Sequence, residues 1–545
     1  MPLIPPPLNG TVALATDVLR RLPFGRRLVT GALVGLLANA TRPRPRPFTL
    51  AADHTTWVSL TDRSFSARHL PVAEPRDLPT EQQVLDLFRR PAGRARPSND
   101  TTVLFMLFAQ WFTDSFLRTD RSDWRRNTST QEIDFCQLYG ISESRTRLLR
   151  AMEGGRLASQ SIDGEEYPPF LLERTPSGAY AVRPRFKGLH DETWLLDVLL
   201  AGVPDRQKDL FFAVGLEHGN STIGSTALDV LFLREHNRVA GLLAEEHAAG
   251  RMRPAWPRDL DPEQLDERLF QTTRMIMTVL LLKLVVEEYI RHIAPHDPPL
   301  QVRPGMADSK PWNRSNWIAV EFNLLYRWHS LVPDTVTTDE GEVPAKEFLR
   351  DNNDALVTRG LEWVITQCSR SRASRIGLFN TADFLTERKH PDHPAVEERA
   401  ITLMRAARLQ SYNAYRRQFK MPPKKDFADL TSDVDVQRRL AELYDDIDAV
   451  EWYVGIFAED HPEEQMMGEL LTAMVGYDAF TQALTNPLLS SHVYSEATFT
   501  RAGLRVISGT GSLQEIIGRN VERPAAAIAR FTWGDEPRRR PGRTA

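Results

Sequence analysis

The sequence predicts a mainly α fold, a large helical catalytic body with very little β structure. Beyond about residue 100, long apolar segments recur at three and four residues rather than two, and strand signals are few. The composition is globular, 41% apolar and 26% charged over 545 residues. That length accommodates a single large core without forcing several domains.

Taken in order, residues 1–50 carry Arg20, Arg21, Arg26, Arg27, Arg42, Arg44 and Arg46 against Asp17 alone. Between them GALVGLLA, 31–38, is far shorter than the roughly 20 residues that span a bilayer. Prolines in MPLIPPPLNG stand where a secretory signal has its basic region. The segment reads as a basic amphipathic arm, either resting on a membrane surface through apolar area and arginine attraction to anionic lipid, or packed on the body. Helices are predicted over 102–117, 228–247, 269–293 and 317–331. The third is apolar nearly all round, as a buried central helix is. Polar or proline-rich stretches at 90–100, 248–262 and 370–396 read as loops. The body runs over 51–525, and 526–545, with PRRRPGRTA at its end, reads as a basic solvated tail.

Sixty-eight basic residues against 72 acidic ones give a net charge of −4, without the basic excess that nucleic-acid binding needs. Two cysteines, Cys136 and Cys368, exclude a disulfide framework and a cysteine-rich metal site. The expected location is cytoplasmic or peripheral on a membrane, as a monotopic protein.

In EFNLLYRWHSLVPD, 321–334, Tyr326 and His329 stand three apart, about 60° around a helix, on one face of adjacent turns. Such a pair is either core packing or a haem site, in which the imidazole ligates iron and a phenol one turn away lies at the macrocycle's edge. Two segments occur with it in order, LREHNRVA (233–240) and FQTTR (270–274), ahead of the Tyr-Arg-Trp-His run. Together they resemble the haem peroxidase and cyclooxygenase superfamily, nearest to prostaglandin H synthases and to fatty-acid dioxygenases of the linoleate diol synthase type. HTTWVSLTDRSFSARHLP (54–71), AQWFTDSFLRTD (109–120), IDGEEYPP (162–169), SYNAYRRQF (411–419), LYDDIDAVEWY (443–453) and GSLQEIIGRNV (511–521) extend the likeness from about residue 25 to 521.

The resemblance implies haem b, with His329 as the axial iron ligand. It implies that Tyr326, oxidised to a radical, abstracts hydrogen from a polyunsaturated fatty acid, that Tyr289 hydrogen-bonds and orients it, and that Ile290 lines the substrate channel. Trp328 is expected to pack. The N-terminal arm corresponds to monotopic membrane-binding helices. The chain also departs from the pattern. Family members place Gln and His four residues apart over the open iron position; here those places hold Gln110 and Asp114. A carboxylate can shuttle a proton if burial raises its pKa, so Asp114 is either a working acid and base or a remnant. The carboxylate-anchoring arginine aligns near Ala38 and its tyrosine partner with His296. The serine reached by acylating drugs falls at Ala479 or Thr481, beside Phe480. The disulfide-rich module of animal cyclooxygenases is absent, along with the dimer contact it provides, which leaves a homodimer open.

The expected activity is haem-dependent oxygenation of an unsaturated fatty acid or similar lipid with O2, started by peroxide through Tyr326, with weakened peroxidase activity. The alternatives are a peroxygenase or peroxidase using Asp114, and a haem-binding pseudoenzyme.

Overall fold

The computed structural model describes residues 24–38, 48–252, 259–294, 298–388, 394–463 and 465–534, with residues 19, 22, 256 and 257. Its principal helices are α1 (Gly25–Ala38), α2 (Val103–Thr113), α3 (Ile223–Ala248), α4 (Pro262–Leu284), α5 (Val320–Leu325), α6 (Val396–Ala406), α7 (Trp452–Ala458) and α8 (Glu469–Leu484), with shorter helices between them. Three of the long ones start on a side-chain cap. Thr102 accepts from the Phe105 N–H, Thr222 from Ser225, and Asp261 from Gln264, with Pro262 placed where a missing N–H costs nothing.

Helix α3 packs on both α2 and α4. Leu228, Val230, Leu231 and Phe232 of α3, with Leu280, Leu281 and Leu282 of α4, are completely buried. Each contributes about 1.5–3 kcal/mol by leaving water, which explains why this trio forms the centre of the body. Helix α4 continues through a π-turn, Val285–Tyr289, into Ile290–Ile293. The combined stretch Pro262–Ile293 is long and apolar enough to cross a bilayer, but 78% of its apolar window is buried inside the body, as the sequence predicts for a central helix. The π-turn widens the helix by one residue per turn and so re-aims Tyr289 relative to α4.

The strands form four two-stranded antiparallel pairs: β1 (Pro97–Thr102) with β8 (Arg372–Ser374), β2 (Gln160–Ile162) with β3 (Glu165–Tyr167), β4 (Leu172–Arg174) with β5 (Tyr180–Val182), and β6 (Thr335–Thr338) with β7 (Gly341–Pro344). β1 and β8 thus lie in stretches read from sequence as loops. Thr101 also bridges to Thr532, and Ala527, Ala529 and Phe531 are buried. The packed body therefore extends beyond residue 525, and residues 535–545 lie outside the described residues. Cys136 and Cys368 are buried free thiols.

Candidate functional site

Ten of the eleven residues of α2 are buried, and the exception is Gln110. Phe105, Phe108 and Phe112 of this helix face Tyr289, with ring centroids 5.0, 5.7 and 5.9 Å away. Gln110 lies roughly 140–200° round the helix from these rings, so α2 has an aromatic face and an open face. Asp114 caps the helix, its N–H returning 3.0 Å to the Gln110 carbonyl, and continues the open face by one turn.

Asp114 does not stand alone. His218 Nε2 lies 3.2 Å from its Oδ2, with the two side chains 31% and 28% exposed. Burial alone would lower the pKa of His218, but the Asp114 and Glu217 carboxylates together raise it. The neighbouring Glu217 is clamped by Arg118 at 3.1 Å and by Arg121. Burial would raise the Glu217 carboxyl, yet Arg118, His218 and Arg121 hold it down at about 2. Behind α2, the Trp111 indole donates to Asp229 at 2.8 Å, and burial pushes the Asp229 carboxyl well up.

The Tyr326 and His329 segment departs from the predicted continuous helix. α5 ends at Leu325, Tyr326 and Trp328 leave helical geometry, and His329 opens a single 3-10 turn, His329–Leu331. Tertiary packing explains the break. The Tyr326 and Trp328 rings meet at a tilt with centroids 4.8 Å apart, whereas residues two apart on an α-helix point to opposite sides. Trp328 also stacks against Phe105 at 6.2 Å, joining the Tyr326 and Tyr289 surroundings into one aromatic layer. The hydroxyls of Tyr326 and Tyr289 are both buried without a hydrogen-bond partner among the described residues, so the bond expected between them is not made in this geometry. Burial pushes both phenols above their ordinary pKa.

His329 is held from behind. Its Nδ1 lies 2.8 Å from Glu397 Oε2, and the Tyr453 hydroxyl donates to Glu397 Oε1 at 2.7 Å. Glu397, at the start of α6, is completely buried. A carboxylate can only accept, so the imidazole proton is assigned to Nδ1. Nε2 carries no hydrogen bond among the described residues, and the side chain is 16% exposed.

The sequence profile of the animal haem peroxidases matches residues 121–530. The chain belongs to the animal haem peroxidase family. It is 32% identical to rat prostaglandin G/H synthase 1 over 502 residues, covering 88% of this chain and 75% of the relative. It is 28% identical to horse prostaglandin G/H synthase 2 over 492 residues, covering 88% and 74%. Among solved structures, a fatty acid alpha-dioxygenase from Oryza sativa matches with a TM-score of 0.69 at 16% identity, covering 98% of this chain and 100% of that one. Peroxidase A from Dictyostelium discoideum matches at 0.62 and 19%, covering 89% and 94%.

The residues of this haem peroxidase fit the cofactor that its family implies. An imidazole with its tautomer fixed by a buried carboxylate and with Nε2 free is the donor arrangement a haem iron takes from histidine. Tyr326, Trp328 and His329 are contiguous, and Tyr289 is brought into their aromatic layer. Ile290 is buried directly after Tyr289; Ala479, Phe480 and Thr481 are buried on α8. The Thr481 hydroxyl donates to its own helix, 2.8 Å from the Tyr477 carbonyl. The charge of Asp478, also on α8, contributes to the upward shift of Tyr326, which places α8 beside that tyrosine. Ala38 is buried at the end of α1, and His296 lies outside the described residues.

Sequence reasoning missed His218, Glu397 and the role of Tyr453. Tyr453 lies within a quoted segment, but nothing local marks it as a carboxylate donor. Glu397 sits 68 residues from its imidazole, and His218 stands in GLEHGN with no spacing to any other named residue.

Proposed function

We propose that the protein binds haem b through His329 and oxygenates an unsaturated fatty acid or similar lipid through a radical on Tyr326. The observation that carries this reading is the buried, unpartnered Tyr326 hydroxyl, three residues from an imidazole whose Nε2 is free. When bound, haem supplies the one-electron oxidation for which Tyr326 is the donor, with peroxide as the activating oxidant.

The chain's own residues do the rest. Glu397 and Tyr453 hold the His329 ring and its proton, leaving Nε2 as the ligand atom. Burial keeps the Tyr326 phenol protonated, so it carries the O–H bond that a hydrogen-atom donor needs. Tyr289, Phe105 and Trp328 keep water from it. The tyrosyl radical takes a hydrogen atom from a bis-allylic carbon, O2 adds to the carbon radical, and the peroxyl oxygen takes the hydrogen atom back, restoring the tyrosyl radical. Ile290, Ala479, Phe480 and Thr481 are the candidate walls of the lipid channel. Exposed Phe24, Leu28 and Leu36, with Arg26 and Arg27, give α1 a surface suited to anionic lipid, which supports a peripheral membrane location.

The contact between Asp114 and His218 favours a second reading, a peroxygenase or peroxidase in which Tyr326 carries no radical. Oxygen uptake by haem-loaded protein, measured over a panel of fatty acids with and without added peroxide, separates the two. The proposal expects uptake with polyunsaturated acids and its loss in Tyr326→Phe, with haem content retained. Full oxygenation by Tyr326→Phe assigns the chemistry to the second reading, and no turnover with any lipid or peroxide marks a haem-binding pseudoenzyme.

A further inference from the structure

On the reading that His329 holds a haem, we propose that His218 is the distal proton acceptor of this protein and that Asp114 is its positioning residue. The distal helix carries an aspartate where relatives carry an imidazole, and the structure brings an imidazole to that same aspartate from a different part of the chain. His218 Nε2 and Asp114 Oδ2 are 3.2 Å apart. The Asp114 carboxylate faces Nε2 and so favours the ring proton there, which leaves the Nδ1 lone pair as the base. Nδ1 carries no hydrogen bond among the described residues.

Position agrees with that role. On α2 only Gln110 escapes burial, and Asp114 and His218 are the partly open groups that continue its face. The backbone carrying His218 is fixed on both sides. Gly215 donates 2.9 Å to the Gln137 carbonyl, Ser221 donates 2.9 Å to the His218 carbonyl, and the Glu217 side chain is clamped by Arg118 and Arg121. An acid and base held this way can move a proton without first reorganising. Nδ1 would take the proton from one oxygen of hydrogen peroxide and return it to the other, so that the protonated oxygen leaves as water; a haem held by His329 would supply the two electrons that this cleavage needs and retain the other oxygen.

The groups facing His218 set a pH signature. Asp114, from the end of α2, and Glu217, from its own segment, favour the imidazolium; Arg118 opposes it, and the nearby His190, lowered by burial to about 4, is uncharged in this range. Proton acceptance should therefore rise with pH through a midpoint above the ordinary 6.5 of histidine.

Cyanide binding to the ferric haem-loaded protein tests this without turnover, because HCN must surrender its proton as it binds. Soret changes would be followed by stopped flow between about pH 5 and 8, with thermal melts as a folding control. His218→Gln is expected to slow association by about 100-fold or more and to abolish its pH dependence, since general-base assistance is typically worth that much. Asp114→Asn is expected to move the midpoint down, because the carboxylate that favours the imidazolium is gone. Wild-type rates and pH dependence in His218→Gln, with the Soret band intact, would overturn this inference while leaving the His329 reading standing. An unmoved midpoint in Asp114→Asn would overturn it as well, even if His218→Gln failed to fold. Failure of the wild-type protein to bind haem at all would remove both readings.

Discussion

His329 and Glu397 form a couple in which each group fixes the other. The carboxylate sets the ring's tautomer, and the ring, with the Tyr453 hydroxyl, satisfies a carboxylate that water does not reach. His329→Ala should abolish the Soret spectrum, because the motif supplies no other strong ligand. Glu397→Ala should lower haem affinity by about 10- to 100-fold, the usual cost of losing the group that orients a ligating histidine. Haem titration measures both, and unchanged affinity in Glu397→Ala would reduce the couple to a packing contact. At this scale the sequence shows the candidate ligand but not its holder. His329 and Tyr326 are legible because a motif places them, and Gln110 and Asp114 because the family resemblance carries its distal pair onto those two positions. Glu397 and His218 act through contacts made only when distant segments meet, and no local pattern records such a meeting.

The elements show where periodicity prevails and where it yields. Helix α4 has enough apolar positions all round to remain helical in the core, and its extent is close to that expected from sequence. α5 stops four residues before the haem-ligand candidate, because the ring contact between Tyr326 and Trp328 is incompatible with the helical angle between them. Two predictions belong here. A Cβ on Gly215 would collide with the Cys136 and Gln137 carbonyl oxygens, so Gly215→Ala should cost about 1–3 kcal/mol in denaturant unfolding, as overpacking does. The π-turn also leaves Glu288 half-buried, and desolvation raises its carboxyl from 4.5 to about 7 despite the hydrogen bond it accepts from the Leu513 N–H. The folded state then holds a proton that the unfolded state releases near pH 4.5. The resulting stability is complete below that pH and is lost as pH rises through about 7. Glu288→Gln should flatten the fall in Tm over that window. A fall of undiminished size would assign it to other groups.

For the whole molecule, α1 joins the body to its surroundings. Thr30, Val34, Leu37 and Ala38 are buried, Leu37 against Gly476 of α8, while Phe24, Leu28 and Leu36 remain exposed beside Arg26 and Arg27. The double variant Leu28→Asp, Leu36→Asp should co-sediment less with anionic vesicles than the wild type while keeping its haem spectrum. Binding undiminished by the change would place the lipid contact elsewhere. The amphipathic character of this arm and the single large helical body are both legible in composition and periodicity. The inclusion of residues 526–534 is not, because arginine and proline nearby give that stretch the character of a tail.

That late segment has a consequence for how the protein is made. Phe531 stands 5.7 Å from Phe105, 5.0 Å from Phe108 and 6.4 Å from Tyr289, and the Thr102 N–H donates to its carbonyl at 3.0 Å. A ribosome delivers residue 531 after every other wall of this aromatic enclosure, and chains fold from the N-terminus as they emerge. Until that ring arrives, the surroundings of Tyr289 and the start of α2 lack one side. A nascent chain that has not yet delivered residue 531 thus holds Tyr289 without this side of its shielding, and arrival of the segment becomes the step that completes the aromatic enclosure.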